Sequence, residues 1–119
     1  MSVPRTHRPR SKEAIGAYLV NGLLKQVQAR QIPLFCNVKV TRILTEVKVT
    51  GVQIQTEVGQ QIIQSRAVII ATGGFGASKK LISEYRPDLN KYQTTNQPGN
   101  TGDGILLAKD IGARLVDMD

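Results

Sequence analysis

Apolar residues recur at every fourth position early in the chain, at Ile15, Leu19, Leu23 and Val27, with Val20 and Leu24 beside them. That spacing predicts a helix with one apolar face, and Lys25, Gln26, Gln28 and Arg30 fall mostly off it. Ser11 is its expected N-cap. Gly16 and Gly22 each cost the helix about 1 kcal/mol against Ala, offset if they allow close approach to a sheet. Pro33 ends the helical pattern, and Leu34–Val38 reads as a short apolar strand. From Lys39 the period becomes two. Segments near 39–46, 50–56 and 60–66, separated by Glu46-Val47-Lys48 and Glu57-Val58-Gly59, predict a three-stranded antiparallel meander. Gln53, Gln55, Gln61 and Gln64 alternate imperfectly with Val52, Ile54, Ile62 and Ile63, so one face is expected in water.

Beyond the meander, Ala67-Val68-Ile69-Ile70-Ala71 is short and rich in β-branched residues, the pattern of a buried parallel strand. Ala77 to Tyr85 predicts a short helix stopped by Pro87. Residues 86–101 show no apolar period and contain Pro87, Pro98, Asn90, Asn96 and Asn100, so they predict a long loop, a type that often binds ligands. Ile105, Leu106 and Ala108 begin a last helix, with Gly112 as its C′ residue. The expected fold is therefore α/β: a parallel-sheet part joined to a β-meander.

Two glycine-bearing segments carry the chemistry. Ala71-Thr72-Gly73-Gly74 closes the second apolar strand, and Asn100-Thr101-Gly102-Asp103-Gly104 opens the last helix. Without Cβ atoms, Gly73 and Gly74 let main chain turn sharply and approach a ligand. The carboxyl edge of an open α/β sheet is where such folds bind nucleotides. A plain βα turn would also use Gly-Gly. Asp103 has two readings as well: it completes a capping box with Asn100, or its carboxylate faces a ligand.

A chain of 119 residues allows one domain, and three Tyr, two Phe and no Trp make a thin core. No run reaches the length of a membrane span and no signal peptide is visible, which leads to an expectation of a cytoplasmic protein with no membrane span. Cys36 is the single cysteine, and its neighbours Leu34 and Phe35 suggest a buried, inert thiol. The net charge of +7 is uneven: Arg5, Arg8, Arg10 and Lys12 meet no acid within the first twelve residues. Pro4 and Pro9 interrupt any basic helix there and no aromatics interleave for base stacking, so no nucleic-acid partner is expected. His7, the one histidine, has no partners for metal or triad chemistry, and no metal site is expected.

Four blocks in order carry a resemblance. Arg5-Thr6-His7-Arg8-Pro9, the run Asn37–Leu44, Ala71–Phe75, and Thr94–Gly104 followed by Gly112-Ala113 resemble the fumarate reductase/succinate dehydrogenase flavoprotein family, most nearly its soluble bacterial fumarate reductases. The resemblance implies FAD as cofactor and a partial Rossmann-like FAD-binding domain over residues 1–119. Within it lie a basic arm (1–10), a helix and strand (11–38), the meander (39–66), and a strand, helix, loop and helix (67–119). It implies cofactor contacts at Val40, Ala71, Thr72, Gly73, Gly74, Thr101, Gly102 and Asp103, with the main chain of Val40 beside the adenine ring. It implies an oxidoreductase reducing a small dicarboxylate, fumarate, to succinate by hydride transfer from the flavin.

Neither the family's GxGxxG fingerprint nor its acidic ribose partner is present, since Gly73-Gly74-Phe75-Gly76 lacks the spacing. The family's substrate histidines and proton-donating arginine find no counterpart either, so no catalytic residue is expected, and the chain reads as an internal piece, inactive alone. The resemblance also implies a first βαβ unit between the Leu34–Val38 and Ala67–Ala71 strands. Without that unit, exposed sheet edges are expected to pair with another copy of the chain. A related flavoenzyme (a urocanate reductase, a ketosteroid dehydrogenase or an L-aspartate oxidase) remains an alternative. A small basic binding module without redox chemistry is the other.

Overall fold

The structure is a computed structural model that describes residue 10 and residues 12–118. The basic arm up to Pro9, with His7, and the Ser11 cap lie outside the described residues. The chain divides into two compact units, Met1–Cys36 and Asn37–Asp119.

The first unit is built on helix α1, Ile15–Ala29. Its N-cap is Ala14, which offers no side-chain acceptor. Its C-terminus is closed by the backbone instead. Gln31 takes a left-handed φ of 52°, and the N–H groups of Gln31 and Ile32 donate to Gln28 O (3.0 Å) and Val27 O (3.1 Å). That is a Schellman closure with glutamine where glycine is usual. The predicted apolar face is present but uncovered: α1 has no buried residue, and Leu19 and Leu23 are 57% and 66% exposed. Residues 32–36 have no regular secondary structure and join no ladder. The expected strand over Leu34–Val38 is therefore absent, because no described segment offers it a hydrogen-bonding neighbour. Cys36 is exposed, correcting the expectation of a buried thiol. The adjacent apolar residues that suggested burial are themselves bare, with Leu34 62% and Phe35 66% exposed.

In the second unit, β1 (Lys39–Thr45), β2 (Val49–Thr56) and β3 (Gly59–Gln64) form an antiparallel sheet in that order. Register assigns the faces. Ile43 pairs with Val52 and Val52 with Ile63, while Val40 and Ile54 pair beside them. These apolar residues share one face, since direct cross-strand partners point the same way. Arg42, Gln53 and Ile62 lie in a row on the other face, with Gln55 and Gln60. Ile43 and Ile54, 4% and 5% exposed, are the sheet's contribution to the core. Gly51 fits where β3 presses close: a Cβ there would overlap the Ile63 carbonyl oxygen.

Ala67–Ala71 follows the sheet without regular secondary structure or a ladder, so the predicted parallel strand is also absent among the described residues. Ile69 is 93% exposed. The residue pattern is that of a doubly covered strand, but strand structure requires a partner backbone. Helix α2 (Lys79–Tyr85) starts at Ser78, whose Oγ accepts from Leu81 N at 3.3 Å. It stops before a 3-10 turn at Pro87–Leu89. Helix α3 (Asp103–Asp110) packs on β1 and ends at Gly112 (φ 88°). Gly112 N and Ala113 N donate to Lys109 O and Ala108 O, a second Schellman closure and the C′ glycine that the sequence predicts. Leu81, 1% exposed, is the most deeply buried side chain of the described residues.

Candidate functional site

The two glycine segments come together. Gly102 N donates to Gly74 O at 3.1 Å, and two or three residues away on each side Ala77 N donates to Asn100 O at 2.9 Å. The chain leaving Ala71 and the chain entering α3 are thus laced by main-chain bonds, with no side chain needed between them. Three glycines make the approach possible. Gly102 is buried at φ 78°, and a Cβ on it would overlap Leu81 Cδ1 and come 2.8 Å from Phe75 Cβ. Gly104 is buried against Ile70 and Thr72, which a Cβ would overlap. Gly73 has φ 76° and would place a Cβ 2.9 Å from Asn100 Oδ1.

Gly74 differs from these three. A Cβ on it would meet nothing within 4 Å. A side chain on Gly74 would enter open space, where those on the other three would meet protein. Ala71, Thr72, Gly73, Gly74, Thr101 and Asp103 are all exposed. Six of the eight predicted site residues therefore present accessible atoms along this strap. Gly102 is buried, and its lack of a side chain is explained by packing. Val40 stands apart on β1, half-buried and paired with Ile54.

The capping box does not form. The N-cap of α3 is Gly102, so Asp103 is the first helical residue and Asn100 lies two residues too early. Asp103 Oδ1 instead accepts from Thr101 Oγ1 at 2.9 Å. Asn100 is engaged within the loop. Its Nδ2 donates to Asn96 Oδ1 at 3.3 Å, and its N–H to Gln97 O at 2.9 Å. These bonds fold the loop back over Gly73 and Gly76. Sequence reasoning missed Asn96 and Asn100 as scaffold of the site; the glycines opposite them were the available signal.

The strap is braced from below. Phe75 and Tyr85 rings lie 6.2 Å apart and tilted by 59°. Lys109 Nζ donates to Tyr85 OH at 3.0 Å and Glu84 Oε1 at 3.5 Å, tying α3 to α2. The hydrogen bond to Tyr85, then the charge around it, holds the lysine above its ordinary range. Farther along, Arg86 grips Asp88 through two bonds of 3.0 and 2.8 Å, and that hydrogen bonding holds the aspartate below its ordinary range.

The donor set indicates what the strap can hold. Asp103 puts a carboxylate at the positive end of α3, which disfavours a phosphate there. A carboxylate accepts hydrogen bonds only, so with Thr101 it suits hydroxyl or N–H groups of a ligand. Exposed main chain at Gly73-Gly74 suits a flat or extended group at close range. Among the described residues no cluster of His, Cys, Asp and Glu could hold a metal ion.

Residues 2–119 match the family described as FAD binding domain. The chain belongs to that family. It is 42% identical over 120 residues to the NADH:fumarate oxidoreductase of Klebsiella pneumoniae, covering 99% of this chain and 13% of that protein. The open conformation of a flavocytochrome c3 fumarate reductase superimposes with a TM-score of 0.86 at 33% identity, over 92% of this chain and 20% of the other. The 3-ketosteroid delta1-dehydrogenase of Sterolibacterium denitrificans gives a TM-score of 0.72 at 30% identity, over 82% of this chain and 18% of the other. The FAD-binding-domain chain thus spans a fifth or less of each of these relatives. Its exposed glycine strap and hydroxyl-accepting Asp103 fit FAD, the cofactor of the family. No helix among the described residues is long and apolar enough to cross a membrane.

Proposed function

We propose that this chain supplies one wall of the FAD site of a longer flavin-dependent oxidoreductase that reduces a small dicarboxylate of the fumarate type. The observation carrying the proposal is the lacing of Gly102 to Gly74, which sets open backbone beside the Thr101–Asp103 pair. FAD, when bound, supplies the hydride chemistry. The residues of this chain bind and orient. Ala71, Thr72, Gly73 and Gly74 offer main chain, Gly102 lets α3 start close beneath them, and Thr101 and Asp103 accept from hydroxyl groups of the cofactor. Val40 belongs to this reading as a main-chain contact for the adenine ring. No residue here is proposed to transfer a proton to substrate.

Both units are read as parts of one FAD-binding domain. In that domain the Leu34–Val38 and Ala67–Ala71 segments become parallel strands once the rest of the sheet lies between them. Their bare Leu34, Phe35 and Ile69 side chains support this reading. Alone, the chain is expected to be inactive and to self-associate through exposed sheet edges. The likeness to a ketosteroid dehydrogenase favours a second reading, the same FAD wall serving a steroid substrate. The test is Gly74→Val in the intact flavoprotein. The side chain enters open space, so folding should be unchanged while bound flavin falls severalfold. Full flavin content in that variant contradicts the proposed contact. Activity on fumarate against a 3-ketosteroid separates the two substrates.

A further inference from the structure

The sheet has two outer edges, and they differ. Along β1 the pairing shifts register between Val40 and Arg42 and again between Leu44 and Thr45, and the strand carries Lys39 and Arg42. Bulges and charges are the devices by which edge strands resist further pairing. β3 has neither. Its sequence, Gly-Gln-Gln-Ile-Ile-Gln, contains no charge and no proline, and its pairing with β2 runs without a shift. Among the described residues no strand lies beyond it.

The groups it presents can be read from the ladder. Ser65 N donates to Thr50 O at 3.0 Å, one step past the Gly51–Gln64 pair and in the same register. Bonded and non-bonded pairs alternate in an antiparallel ladder, so Gly59, Gln61 and Ile63 bond inward to β2. Gln60, Ile62 and Gln64 turn their N–H and C=O groups outward. That outward triplet reads the same in both directions, glutamine, isoleucine, glutamine. Ile62 is 64% exposed, and it lies in a row with Gln53 and Arg42 on the polar face.

We propose that the β3 edge is a two-fold docking site for a second copy of this chain. The two β3 strands run antiparallel, with Ile62 opposite Ile62 of the copy and Gln60 opposite Gln64. Each of these pairs exchanges both backbone hydrogen bonds, and the two isoleucines cover one another. A two-fold contact must be self-complementary, and this triplet is. Two chains of net charge +7 also meet here without opposing like charges. The inference rests on the self-association proposed above and names the edge that carries it.

Sedimentation of the 119-residue chain from micromolar to submillimolar concentration tests both. The expected result is a monomer–dimer equilibrium, abolished by Ile62→Lys with an unchanged circular dichroism spectrum and kept in Ile69→Lys. In a Cys36→Ser background, Ile62→Cys should form a dimer disulfide under mild oxidation, because bonded antiparallel partners lie about 5.5 Å apart at Cα. Gln60→Cys should not, since its symmetry mate is displaced by about four residues, roughly 13 Å. A wild-type chain that stays monomeric, its β3 edge then covered only by other parts of the parent protein, overturns both the docking site and the self-association. A dimer that survives Ile62→Lys but is lost in Ile69→Lys keeps self-association and overturns the β3 site. If Ile62→Lys unfolds the chain, the disulfide pattern decides: preferential linkage at Ile62→Cys supports the site, and equal or absent linkage overturns it.

Discussion

Glycine positions that look alike in the sequence do different work. Gly102 is glycine because Leu81 and Phe75 leave no room for a Cβ and because its φ is 78°. Gly102→Ala should therefore destabilise the second unit by about 2–4 kcal/mol, combining left-handed strain with overpacking, and a urea titration of the chain would measure it. Gly74, with open space beside it, carries no such packing constraint. The sequence marked both as cofactor residues, since spacing alone cannot distinguish a glycine needed for packing from one left open to a ligand. It also left Asp103 between cap and ligand. The structure removes the capping box, because Gly102 begins the helix two residues after Asn100. Cys36 shows the opposite failure. Its apolar neighbours pointed to burial, but burial depends on what packs over the segment, and nothing described does.

At the scale of elements, local pattern predicted what local forces make. The meander, the Schellman ending at Gly112 and the stop before Pro87 depend on neighbours in sequence, through hairpin pairing, C-terminal backbone bonds and proline geometry. α1 illustrates one surviving local conflict: Gln31 occupies a left-handed position that favours glycine. Gln31→Gly should stabilise the helix end by up to about 1 kcal/mol, since relief of left-handed strain exceeds the added chain entropy. Slower amide exchange at Gln31 and Ile32 would show it, and faster exchange would contradict it. The two expected parallel strands behave otherwise. Their residue types fit the pattern of buried strands, yet Leu34–Val38 and Ala67–Ala71 form no ladder and Leu34, Phe35 and Ile69 are exposed. A parallel strand is completed by segments distant in sequence, and that dependence cannot be read from the strand itself.

For the whole molecule, the thin core and the bare apolar face of α1 agree with membership of a family whose relatives are several times longer. In the proposed reading the strap from Ala71 to Asp103 is one wall of the FAD site, and the carboxylate of Asp103 would leave the cofactor's phosphates to be held elsewhere. The isolated chain should accordingly bind FAD no tighter than millimolar and should not reduce fumarate. Flavin fluorescence titration checks this, and a monomer holding FAD at micromolar affinity would show that the strap suffices alone.

The most direct measurement is the flavin content of the intact flavoprotein carrying Asp103→Ala. Loss of a charged hydrogen-bond acceptor should weaken FAD binding about ten- to a hundredfold. As the first residue of α3, Asp103 contributes about 0.3–1 kcal/mol to the helix, so the apoprotein's melting temperature should move little. Lost flavin with a nearly unchanged apoprotein melt is the predicted result. Full flavin content together with a lowered melting temperature would make Asp103 a structural residue and would contradict the strap as part of the FAD site.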